Sequence, residues 1–365
     1  MMRTLTAVTA ASILLAGCSS APPSTAEPTS TTTCAPAPAA DMTTPDGWIG
    51  FAAEHSGSVS FAVDDGLGHT AEHDADTPHP LASAVKVVHL GAYARAVADG
   101  TLDPDERIPV ADWQRWYAPG TDGGVHIAAL NRLGIANDGT SPTDPAATVR
   151  LDDMVTAMVR ESDNGVPDYL RYRLGDDALR DAAAAGGWSD FTPPTLVGVT
   201  LGALDATVDT DDLWSLAQRF TFDADFRATY GTTARPRDET ELLTYFDRFG
   251  PTGTAAELAR FHTAVADGSY GSGVDTVRRH LEWQDPPADA GFVAMGFKGG
   301  NLPGVLTHGF EFRRADGAPA VVVWLNHGLT AAEYESATTN LTQHQTLLLE
   351  AAADPATVGR LACIS

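Results

Sequence analysis

The chain has 365 residues, 48 acidic and 23 basic side chains, and a formal net charge of −25. No basic cluster offsets that acidity, which excludes nucleic acid or a polyphosphate as partner. Lysine occurs only at Lys86 and Lys298, so the other 21 basic residues (23 − 2) are arginine. An arginine keeps its proton in a protein, whereas a lysine amine can be shifted into the range of a working base.

The first 17 residues carry one charge, Arg3, followed by an apolar stretch through Leu15. They read as a secretory signal, too short to cross a bilayer as a helix. Its removal leaves a charge of −26 (−25 − 1). Leu15-Ala16-Gly17-Cys18 resembles a bacterial lipobox, which implies cleavage before Cys18 and lipid on its sulfur. The expected product is anchored to the outer face of the cell membrane by acyl chains. Residues 18–46 are rich in Pro, Ser, Thr and Ala without periodicity, and read as a disordered tether ahead of a folded domain over 47–365. Outside the cytoplasm a disulfide between Cys34 and Cys363 is permitted, though the sequence leaves the pairing open.

Along the folded region, Gly47 to Glu54 reads as a helix. Val59 to Val63 and a run near Thr70 read as a hairpin turned at Asp64-Asp65-Gly66. Val85, Val88, Leu90 and Val97 recur at helical spacing, predicting one buried helix over Ala82 to Val97. Short broken helices follow to Asp153, and Leu151 to Arg160 reads as a helix. Further helices are expected at Arg171–Ala185, Asp212–Phe220, Thr240–Phe249, Ala255–Ala266 and Gly273–Leu281. Strands return at Phe292–Lys298, Leu306–Arg313 and Ala320–Asn326, and Thr330 to Ala353 reads as one long closing helix. Strands at both ends with helices between suit an α/β architecture: an antiparallel sheet flanked by terminal helices, with an inserted all-helical region.

Three motifs carry chemistry. In Ser83-Ala84-Val85-Lys86 the serine and lysine stand one helical turn apart, placing an amine beside a hydroxyl that is a poor nucleophile without a base. Alone, this reads equally as a helix-capping serine. In Ser162-Asp163-Asn164 the hydroxyl can relay a proton to a leaving nitrogen and the Asn164 amide can bind a substrate carbonyl, although all three residues also favour capping turns. In Lys298-Gly299-Gly300 two missing side chains let a substrate lie along a strand edge, and the Asn301 and Ser83 N–H groups can form an oxyanion hole.

Taken in order, the set resembles class A β-lactamases and penicillin-binding proteins. Met158 to Asn164 is similar to that family's helix into its Ser-Asp-Asn loop, Thr252 to Ala266 to a later helix, and Phe292 to Asn326 to its three closing strands. The resemblance implies a serine hydrolase that forms an acyl-enzyme on Ser83, with Lys86 as general base and Ser162 as proton relay. Lys298 would hold Ser162 and a substrate carboxylate electrostatically, and Asn164 would orient the acyl group. It implies a small-molecule or peptidoglycan-peptide substrate, no metal or other cofactor, and a monomer.

Three departures qualify this. Gly299 stands where the family has a hydroxyl, and His308 stands where class A enzymes often place a carboxylate-binding arginine. The family's deacylating glutamate is also missing: no glutamate occurs between Glu161 and Glu239, and Pro194 to Leu213 offers only Asp205, Asp209, Asp211 and Asp212. Slow β-lactamase turnover is therefore expected. D,D-peptidase-like or esterase activity, or a non-catalytic lipoprotein that binds wall peptides, remain alternatives. Trp113, Trp116 and Tyr117 are read as packing within the helical region, and His69, His73, His79 and His89 as surface or hydrogen-bonded positions.

Overall fold

The computed structural model describes residues 34–364 apart from Asp209, Gly231, Thr233 and Asp289. The signal segment, Cys18 and most of the tether lie outside the described residues. Helix α1 (Pro45–Glu54) starts at Thr44, whose hydroxyl accepts the Gly47 N–H at 3.0 Å. Strands β1 (Val59–Asp64) and β2 (Thr70–His73) form the expected hairpin, its turn held by Asp65, which accepts the Leu67 and His69 N–H groups. Strand β3 (His79–Pro80) leads into a 3-10 turn, Ala82–Val85, and then α2 (Lys86–Ala98).

The helical region follows. Strand β4 (Arg107–Pro109) pairs with β5 (Thr148–Arg150) around α3 (Val110–Gln114) and α4 (Val125–Arg132). Helices α5 (Leu151–Arg160), α6 (Gly165–Leu174), α7 (Asp176–Ala185) and α8 (Leu196–Leu204) come next. They are followed by α9 (Leu213–Phe222), α10 (Ala224–Thr229) and α11 (Glu239–Phe249). Strand β6 (Thr252–Gly253) pairs back onto β3, and α12 (Ala255–Asp267) and α13 (Val274–Leu281) return the chain to the sheet. Strands β7 (Phe292–Leu302), β8 (Val305–Arg314) and β9 (Pro319–Asn326) precede α14 (Ala331–Thr339), α15 (Leu341–Ala353) and α16 (Pro355–Leu361).

The main sheet is antiparallel with order β2-β1-β9-β8-β7, so the two ends of the chain build it together as the strand distribution predicts. Side-chain alternation splits the core in two. Val321, Val323 and Leu325 of β9 face the helical region, whereas Val322 and Trp324 pack against α1, α15 and α16. Strand β7 is the outer strand of the sheet, next to the 3-10 turn that carries Ser83.

Several expectations need correction. Ser83 sits in a 3-10 turn ahead of α2, not inside one continuous helix. The helix expected over 171–185 is two, broken at Gly175, whose φ of 82° interrupts helical bonding. The closing helix divides at Asn340. Helix α8 was not anticipated, because its Leu196-Val197-Gly198-Val199 run lacks polar alternation to give a period. The tether ends earlier than residue 46: Met42 is 7% exposed and joins the core beside α1. Cys34 and Cys363 are each disulfide-bonded. Among the described residues, no helix is long and apolar enough to cross a membrane.

Candidate active site

The three motifs converge beside the edge of β7. The chain reaches Ser83 through the β3–β6 ladder and the Leu81 N–H bond to Pro251 O at 2.7 Å. Ala82 then takes a left-handed φ of 49°. The 3-10 turn passes into α2 at Lys86, three residues after Ser83, so the two residues stand on one side of the chain. Gly300 is where this turn meets the strand. A Cβ there would stand 2.2 Å from Leu81 O and 2.9 Å from Ser83 N, so only glycine allows the approach.

Ser162 follows the end of α5 with a left-handed φ of 66°, and the Asp163 N–H returns to Ala157 O at 3.1 Å. Non-glycine residues in this conformation cost about 1–3 kcal/mol and cluster at functional sites. Ala82 and Ser162 are two of three such residues among those described. Asp163 holds the loop in shape. It accepts from Gly165 N (2.8 Å), Val166 N (3.1 Å) and Trp113 Nε1 (3.0 Å), and pairs with His126 Nδ1 at 2.6 Å. Burial raises its pKa, but the bond and charge of His126 and the Trp113 bond outweigh it, so the carboxyl lies below its ordinary range. Trp113, Trp116 and Tyr117 are buried packing residues, as expected, and Trp113 gains a role as the Asp163 donor.

Both lysines close on Ser162. Lys86 Nζ bonds to Ser162 O (2.5 Å), Asn164 Oδ1 (2.7 Å) and Ser162 Oγ (3.3 Å). Lys298 Nζ bonds to the same Oγ at 2.9 Å and to Gly299 O at 2.9 Å. Burial pushes Lys86 down to about 7, partly opposed by Asp163, Asp122 and Asp168. Burial, and then the charge of Lys86, push Lys298 well below its ordinary value as well. Amines that bracket one hydroxyl this closely disfavour being charged together. No hydrogen bond joins Lys86 Nζ to Ser83 Oγ among the described residues, and such contacts often tighten only when substrate binds.

A cleft of about 520 Å³ opens over these groups, lined by Ser83, Asn164 and Asn301, by Leu196 and Val199 of α8, and by Phe246 of α11. Asn301 is held by the Tyr334 hydroxyl. Gly299 does not line the cleft: a Cβ there would meet the Phe297 ring at 2.8 Å, so the aromatic occupies the space a hydroxyl side chain would take. His308 is a correction. It pairs across the ladder with Gly299, not with Lys298, so it faces away from the site. It is 2% exposed, beside His344 of α15, and burial lowers it to about 3, leaving a neutral ring that cannot serve as a carboxylate's cation. His89 is also a correction: it is buried with both ring nitrogens lacking side-chain partners, and burial lowers it to about 3.

Asp168 of α6 escaped the sequence reading. Its Oδ2 accepts the Val197 N–H at 2.6 Å, fixing the start of α8. Burial raises it to about 7. Its contact with Val197 is made across the fold, 29 residues away, so its own sequence neighbours do not signal it.

A serine turn and two buried lysines that share the Ser162 hydroxyl, beside the edge of an antiparallel sheet, define a β-lactamase-like architecture. The chain belongs to the beta-lactamase enzyme family, whose sequence profile matches residues 49–273. A β-lactamase from Sphaerobacter thermophilus superposes with a TM-score of 0.54 at 20% identity, covering 85% of this chain and 97% of its own. A variant of the class A β-lactamase of the last common ancestor of Gram-negative bacteria gives 0.51 at 15% identity, covering 86% and 95%. At such identities the likeness speaks for the fold alone. No curated protein matches the chain.

Proposed function

We propose that the chain is a serine hydrolase, exported and lipid-anchored through Cys18, that acts on amide or β-lactam substrates through an acyl-enzyme on Ser83. The observation that carries this is the Lys86–Ser162–Lys298 chain of hydrogen bonds beside the cleft that Ser83 lines. Neutral Lys86 takes the Ser83 proton as Oγ attacks the carbonyl carbon. The Oγ–C bond forms, the C–N bond breaks, and the proton passes through Ser162 Oγ to the leaving nitrogen. The Ser83 and Asn301 N–H groups serve the developing oxyanion.

Deacylation needs a base for water. None of the described residues lining the cleft is an aspartate or glutamate. Asp168 stands behind the start of α8, outside that lining. Turnover is therefore slow and the acyl-enzyme persists. The test is intact mass of the soluble domain after incubation with a penicillin, beside Ser83→Ala. A stable adduct on the wild type alone supports the reading. Rapid turnover without an adduct refutes the slow deacylation, and an unmodified protein with unchanged drug refutes the lactam substrate.

A further inference from the structure

Among the described residues lining the cleft, one is charged, and it is a cation in a chain of net charge −25. Arg237 lies just ahead of α11. Its Nε donates to Gly202 O at 3.0 Å, and its guanidinium stacks over the Tyr245 ring at 4.3 Å. Gly202 makes that seat: a Cβ there would stand 2.1 Å from the Tyr245 hydroxyl. The side chain is thus oriented by a carbonyl and an aromatic face, yet it has no ion pair among the described residues. The carboxylates around it are engaged elsewhere. Glu241 takes both terminal nitrogens of Arg235 at 2.8 and 3.0 Å, and Asp205 accepts from Thr207 and the Arg235 N–H. Much of the remaining wall is apolar, with Leu196, Val199 and Leu204 from α8 and Leu242 and Phe246 from α11.

We infer that Arg237 is a specificity residue, and that the preferred substrate has an apolar acyl chain ending in a carboxylate that pairs with its guanidinium. An arginine fork presents parallel N–H donors matched to a carboxylate, and fixing it in advance lowers the ordering cost of binding. The inference rests on the hydrolase reading above, since the acyl group is the one transferred to Ser83.

The test compares p-nitrophenyl hydrogen adipate with p-nitrophenyl methyl adipate, equal in chain length and differing in terminal charge. Acylation is read as the nitrophenolate burst. A charge-assisted pair predicts a preference of roughly 10- to 100-fold for the anionic ester. Arg237→Gln should bring the ratio close to one, and Arg237→Lys, which keeps charge without the fork, should leave an intermediate ratio. A wild-type ratio near one, or a ratio unchanged in Arg237→Gln, overturns the inference while leaving the hydrolase intact. If neither ester acylates the wild type, the hydrolase reading fails for acyl esters. Calorimetric binding of N-phenyladipamic acid and its methyl ester to Ser83→Ala then decides the inference: a preference for the acid sustains it, and equal or absent binding overturns it.

Discussion

The pH dependence of acylation should report Lys86 directly. A lysine at its ordinary 10.5 would be neutral in about one molecule in three thousand at pH 7, whereas burial brings Lys86 to about 7 and makes about half of it neutral. The acylation rate should fall about tenfold per pH unit below 7, to roughly one-hundredth of its plateau at pH 5, and level off above 7. Asp163 is the largest opposing influence on that shift. Asp163→Asn removes its charge while keeping an acceptor for Gly165 N and Val166 N, so the rising limb should move toward acid. The assay is rapid mixing with a penicillin, acid quench and intact mass, from pH 5 to 10.5. A rate flat across that range, or one that climbs only above pH 9, would refute the assignment of Lys86 as base. An alkaline displacement in Asp163→Asn would refute the electrostatic account.

Three further outcomes follow from the same geometry. Asp168 is raised from 3.8 to about 7, so its charged form weakens the fold progressively between those values. Asp168→Asn should gain up to about 4 kcal/mol at pH 8 and almost nothing at pH 4 in urea melts, and an equal change at both would contradict this. Gly300→Ala would put a Cβ 2.2 Å from Leu81 O, and should displace the Ser83 turn and abolish the penicillin adduct while circular dichroism shows the fold retained. Gly299→Thr meets the Phe297 ring at 2.8 Å and should cost about 1–3 kcal/mol, recovered in part on pairing with Phe297→Ala; thermal melts of the single and double variants decide it.

Much of the site was legible because the motifs are local. Ser83 and Lys86 are three residues apart, Ser162 to Asn164 are consecutive, and each reads from neighbours alone. The groups missed are those whose meaning comes from across the fold. Asp168 matters through Val197, 29 residues later, and Arg237 through the Gly202 carbonyl and Tyr245. Nothing in their immediate sequence marks either. The undetected α8 has the same cause: buried on several sides, it shows a continuous apolar run without a periodic face.

The fate of His308 shows where local reading stops. Sequence composition and periodicity determined that Phe292–Lys298 and Leu306–Arg313 are strands, because alternating and β-branched residues favour extended backbone whatever their partners. Which residues share a face was decided by register. The Pro303-Gly304 connection, with Gly304 at a φ of 74°, pairs Leu302 with Val305 and hence Lys298 with Gly309. A shift of one residue would turn His308 toward Ser83, since successive side chains in a strand point to opposite faces. The sequence thus determined the elements and the chemical groups, whose preferences are short-ranged. Only the tertiary structure decided which groups meet, through backbone pairing, and through burial it lowered the proton affinity of both lysines.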